Sequence, residues 1–116
     1  MQYKIHTTPI WDAFKEDCLC PMCHINQELV DGLVDRYLNE AVMAPISRQS
    51  VNKYGFCWHH YNMLLKGDNI LGVALQSITR TEHLQNIIKP PKNIKTAAKQ
   101  ATELLNQSSS CVICQD

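Results

Sequence analysis

Two short stretches carry the residues that can do chemistry. Cys20-Pro21-Met22-Cys23 is a CxxC pair, a spacing that lets two sulfurs converge on one ion, as in zinc knuckles. Cys57-Trp58-His59-His60 is a CxxH pair. On a helix, residues three apart lie nearly one turn from each other, so Cys57 and His60 face the same way. His59, two positions after Cys57, points well away. Together Cys20, Cys23, Cys57 and His60 form a Cys₃His set, which satisfies a closed tetrahedral zinc site. A helix N-terminus also favours thiolate, the form that binds metal. The two pairs are separated by the 33 residues 24 to 56, a longer gap than in zinc fingers, so spacing alone assigns no family. A helix out and a short return would bring them together, and Gly55 permits a tight reversal just before Cys57. Cys18 reads as an ordinary thiol, and His6, His24 and His83 as surface histidines.

Cys111-Val112-Ile113-Cys114 is a second CxxC, with no CxxH after it in this chain. Three arrangements compete: a tail that closes its own disulfide, a pair that replaces one in the first site to give Cys₄, or the opening half of a second, truncated site. The expectation is that this pair stands outside the first site. Four ligands are already present there, and polar Asn106 to Ser110 gives the tail no apolar anchor.

These pairs need elements to hold them, and composition bounds what those are. The chain has 116 residues, enough for one compact domain, and a 45% apolar share allows it a real core. Eleven basic and eleven acidic side chains cancel, so there is no general electrostatic pull on nucleic acid or anionic lipid. Lys89, Lys92, Lys95 and Lys99 read as the solvated face of a helix. No apolar run is long enough for a membrane helix, and Met1 to Pro9 lacks an export signal. A cytosolic location follows, where closely spaced cysteines are more often metal ligands or redox groups than structural disulfides.

The apolar pattern is helical nearly throughout. Ile10 to Glu16 predicts a short helix anchored by Trp11 and Phe14. From Cys23, Ile25, Leu29, Leu33, Tyr37 and Ala41, flanked by Val30, Val34, Leu38 and Val42, predict one long amphipathic helix ending before Pro45. Gly32 lies inside it at a cost of about 1 kcal/mol relative to alanine, which packing is expected to offset. Pro45 to Tyr54 reads as a short helix or turn stopped by Gly55, and Cys57 to Leu65 as a helix stopped by Gly67. Asp68 is placed to cap the next helix, whose apolar face is Ile70, Leu71, Ala74, Leu75, Ile78, Leu84, Ile87 and Ile88. Pro90 and Pro91 break it. Ile94, Ala97, Ala98, Ala101, Leu104 and Leu105 mark a last helix. No strand pattern is present. The fold class is all-α, a small antiparallel helical bundle stapled by a zinc-type site. Residues 1–106 form the metal-binding domain, and 107–116 a polar linker with the start of a truncated second CxxC unit.

Cys20-Pro21-x-Cys23, Tyr37-Leu38-x-Glu40, Pro45, Arg48, Asn52 and Gly55-Phe56-Cys57-x-x-His60, with the stretches Tyr3 to Phe14 and Asn69 to Leu75, resemble an uncharacterised bacterial family with a repeated CPxC…GFCxxH unit. The resemblance covers the whole chain. It implies a metal site at Cys20, Cys23, Cys57 and His60, and a longer protein in which the second CxxC starts a second helical unit. Some members are labelled as components of ATP-binding-cassette transporters; this sequence has no Gly-rich phosphate loop.

The expected function is non-catalytic: a zinc-binding helical scaffold that recognises a protein or ligand, with an unknown protein or a second copy of itself as partner. Structural zinc stabilises small folds directly, and four good ligands leave no open position for catalysis. The alternatives are thiol-disulfide redox chemistry at either CxxC, which usually accompanies a βαβ pattern absent here, and an iron-sulfur cluster.

Overall fold

A computed structural model of the chain describes residues 7–116, and every regular element among them is a helix. The expected all-α class is therefore what the chain adopts. Tyr3 and His6 lie outside the described residues. The chain divides into two compact units within one helix, the first ending at Leu33 and the second spanning Val34–Asp116.

The first unit contains α1 (Thr8–Lys15) and the start of α2 (Pro21–Leu38). Pro9 sits in the first turn of α1, where a missing N–H costs nothing. Ala13 is its buried residue, whereas Trp11 and Phe14, expected as anchors, are exposed. Cys18 lies between α1 and α2, its thiol 3.8 Å from the Ala13 carbonyl. Gly32, also expected to be packed, has nothing within 4 Å of where a Cβ would stand.

The second unit holds the end of α2, then α3 (Glu40–Met43), α4 (Pro45–Tyr54), α5 (Trp58–Leu65), α6 (Ile70–Ile87), α7 (Ile94–Ser108) and α8 (Val112–Gln115). α6 packs against α3, α4 and α5, and α4 also meets α7 and α8. The long helix expected to run to Pro45 breaks at Asn39. The break has a cause in α6. The carbonyl of Tyr37 accepts from Gln76 Nε2 at 2.8 Å, and that of Leu38 from Asn69 Nδ2 at 3.0 Å. The side chains of Gln76 in α6 and of Asn69 just before it thus satisfy carbonyls that a continuing helix would have used itself.

Asn69, not Asp68, caps α6. Its Oδ1 accepts from the Gly72 N–H at 3.0 Å while its Nδ2 donates to Leu38. A carboxylate could perform only the first task. The buried face of α6 is Gly72, Val73 and Gln76, whereas Ile70, Leu71 and Ile78 of the expected apolar face are more than half exposed. Close approach decides this: a Cβ on Gly72 would stand 2.7 Å from the Leu38 carbonyl oxygen. Only a glycine there lets α6 seat against the end of α2. Around that contact the core collects Tyr37, Leu38, Ala41, Val42, Val51, Leu64 and Val73. Arg48 of α4 ties it to its neighbours, donating to the Val42 carbonyl at 3.1 Å and to Thr79 Oγ1 at 2.9 Å.

Candidate metal centre

The site begins at the C-terminus of α4. The last carbonyls of a helix have no partner within it, and here each finds one from elsewhere. Arg80 Nη1 donates to the carbonyls of Asn52 and Lys53. Ser110 Oγ donates to the Tyr54 carbonyl at 2.7 Å, and the Val112 N–H to the Gly55 carbonyl at 3.0 Å. Gly55 has φ 68° and ψ −161°, a combination that is essentially restricted to glycine. It turns the chain out of α4 so that Cys57, in extended backbone, becomes the N-cap of α5. His60 follows one turn later.

The bonds from Ser110 and Val112 bring the C-terminal CxxC onto this turn. Cys111, Val112 and Ile113 are each no more than 4% exposed, the burial of a true core segment. Tyr37 completes the surroundings. Its hydroxyl donates to Asp116 Oδ2 at 2.7 Å, and its ring meets Phe56 edge-on at 5.9 Å.

The result is a cluster of Cys57, His60, Cys111 and Cys114, whose ligand atoms all lie within 4.8 Å of one another. His60 Nδ1 is 3.3 Å from Cys57 Sγ, 3.5 Å from Cys111 Sγ and 3.4 Å from Cys114 Sγ. Cys57 Sγ and Cys114 Sγ are 3.9 Å apart. A tetrahedral ion with ordinary zinc bond lengths would hold sulfurs about 3.8 Å apart and sulfur and nitrogen about 3.6 Å apart. The four separations given above lie within a few tenths of an ångström of these values, and the set as a whole is close enough to hold a metal ion.

Their protonation is tuned unevenly. Burial pushes the Cys57 thiol up, but hydrogen bonds from the His60 N–H, the Cys111 and Cys114 thiols and the His59 N–H outweigh it and hold Cys57 below its ordinary value. Cys114 is pushed up to about 12 by burial and by its hydrogen bonds to Cys111 and Cys57. Cys57 thus gives up its proton more readily than Cys114. Burial, with His59 next to it, lowers His60, which favours the neutral imidazole that ligates metal.

Of the residues singled out from sequence, Cys57 and His60 stand in this cluster. Cys20 and Cys23 belong to the first unit, at the start of α2, where the Cys23 N–H donates to Cys20 Sγ at 3.2 Å. Hydrogen bonds from the Cys23 thiol and N–H lower Cys20, and the same thiol contact raises Cys23. The remaining donors of the cluster, Cys111 and Cys114, were expected to stand apart on an unanchored tail. That expectation is corrected here. α7 continues to Ser108, through much of the supposed linker. The apolar anchor lies inside the CxxC itself, as Val112 and Ile113. That dipeptide was the signal in the sequence.

The chain belongs to a protein family of unknown function, DUF6062, whose model matches residues 1–116. No curated protein and no solved structure matches it. No helix among the described residues is long and apolar enough to cross a membrane.

Proposed function

We propose that this domain is a non-catalytic, zinc-binding helical scaffold whose ion is held by Cys57, His60, Cys111 and Cys114. The observation that carries this reading is the mutual spacing of those four donors. Three sulfurs and an imidazole within this reach of one another suit zinc, whose structural sites are four-coordinate and built from Cys and His. Four protein ligands leave no position for substrate or water, so the ion is structural. It joins the start of α5 to the segment after α7, and its binding free energy becomes folding free energy. In a reducing cytosol the thiols remain available for it. The helices so fixed would serve to recognise a protein partner or a second copy of the chain.

The set read from sequence, Cys20, Cys23, Cys57 and His60, is the second reading. It is favoured by the bond from the Cys23 N–H to Cys20 Sγ at 3.2 Å, which holds this CxxC turn in place. Elemental analysis of chain purified without chelator separates the two. Wild type is expected to carry one zinc per chain, lost in the Cys111→Ser/Cys114→Ser double variant and retained in Cys20→Ser/Cys23→Ser. The reverse pattern would establish the second reading. Iron with visible charge-transfer absorption would replace zinc by an iron-sulfur cluster.

A further inference from the structure

The two ligand pairs are carried by segments that leave different helices, yet both depart from one side chain of a third. Cys57 is the third residue after the end of α4, and Cys111 the third after the end of α7. Arg80, in α6, spans both ends. Its Nη1 donates to the Asn52 and Lys53 carbonyls, the latter at 2.7 Å, and its Nη2 donates to the Gln107 carbonyl at 3.1 Å. The Ser110 hydroxyl lies between the Gln107 carbonyl at 2.8 Å and the Tyr54 carbonyl at 2.7 Å, and shares its one proton between them. All three acceptors of Arg80 are carbonyls at helix C-termini, where the aligned peptide dipoles leave about half a negative charge per helix. Two such ends serve as the counter-charge of the guanidinium. Gly55 makes room for it: a Cβ there would stand 3.1 Å from Arg80 Nε.

We infer that Arg80 is a positioning residue of the metal centre, clamping the C-termini of α4 and α7 together and so setting the separation of the Cys57–His60 and Cys111–Cys114 pairs. This rests on the reading that those four residues bind the ion. A planar guanidinium with several fixed donors can hold three carbonyls at once; an ammonium on a flexible stem has no such fork. Without the clamp, binding metal must itself draw the two segments together, and affinity falls by that cost.

The test is cobalt(II) titration of wild-type chain, Arg80→Gln, Arg80→Lys and Val73→Ala, followed by the thiolate-to-cobalt charge-transfer and d–d bands, with folding checked by circular dichroism. Val73 is a buried residue of the same helix and makes none of these bonds, so Val73→Ala reports general destabilisation. Arg80→Gln should bind cobalt at least about tenfold more weakly than wild type, the usual range for groups that orient metal ligands. Arg80→Lys should fall between them with altered d–d bands, and Val73→Ala should bind nearly as wild type. If Arg80→Gln does not fold, Arg80→Lys decides alone. A folded Arg80 variant with wild-type affinity and spectrum overturns the inference, as does an equal loss in Val73→Ala. Wild type that binds no cobalt at all overturns the metal-site reading itself, and this inference with it.

Discussion

Replacing Gly55 by alanine adds one methyl group at the point where α4 hands the chain to Cys57. Three effects follow. Holding a non-glycine residue at φ 68°, ψ −161° costs about 1–3 kcal/mol. The new Cβ would lie 3.1 Å from Arg80 Nε and 3.4 Å from its Cζ and Nη2, so the guanidinium must shift. A shift that breaks one of its bonds to Asn52, Lys53 or Gln107 costs about 1 kcal/mol more. Against these stands the reduced freedom of the unfolded chain, which favours alanine by about 0.4–1 kcal/mol. The balance is a net destabilisation of about 1–4 kcal/mol, or on the order of 10 °C in Tm for a domain of this size. Thermal unfolding of wild type and Gly55→Ala, each with and without chelator, measures it. The variant should melt lower in both conditions, and its response to chelator should shrink if the turn also aligns Cys57. A Tm equal to or above that of wild type would refute both the assigned backbone conformation and the contact with Arg80.

The same substitution at Gly32 should act in the opposite direction. That residue is exposed in the interior of α2 with open space around it, so Gly32→Ala should stabilise by about 1 kcal/mol on helix propensity; a lower Tm would show a packing role for the position. Cys57→Ser should lower the melting temperature in metal-supplemented buffer by more than it does in chelator, since the serine removes a ligand; an unchanged Tm in both would count against a structural ion. Tyr37 gives a pH signature: burial, with Asp116 beside its hydroxyl, pushes its phenol up to about 12. Above the ordinary value of 10 the unfolded chain gives up this proton while the folded chain keeps it. Its contribution, complete below pH 10, is therefore lost as pH rises to about 12. Denaturant unfolding across that window should show a steeper decline for wild type than for Tyr37→Phe, and parallel profiles would remove the assignment.

Local rules made several elements readable without coordinates. Pro45 opens α4, Gly55 closes it, and Pro90 and Pro91 separate α6 from α7. Each acts through its own backbone constraint, which no distant residue can override cheaply. The three-residue spacing of Cys57 and His60 likewise places sulfur and nitrogen together through the pitch of one helix turn. Other features depended on residues far away in the chain. Which face of α6 is buried followed from a missing side chain at Gly72 and the Leu38 carbonyl that fills its place, while the apolar stripe of Ile70, Leu71 and Ile78 pointed elsewhere. The break at Asn39 followed from Gln76 of α6 and its N-cap Asn69, whose side chains took the carbonyls of Tyr37 and Leu38. The gathering of Cys57 and His60 with Cys111 and Cys114 is of the same kind. Two CxxC pairs in one chain have the same spacing, and spacing cannot rank them. Arg80, Ser110 and Val112 draw Cys111 and Cys114 onto the end of α4, through bonds that span 27 residues or more. Bonds of that range form only when the intervening helices have packed, so they leave no periodic trace in the sequence.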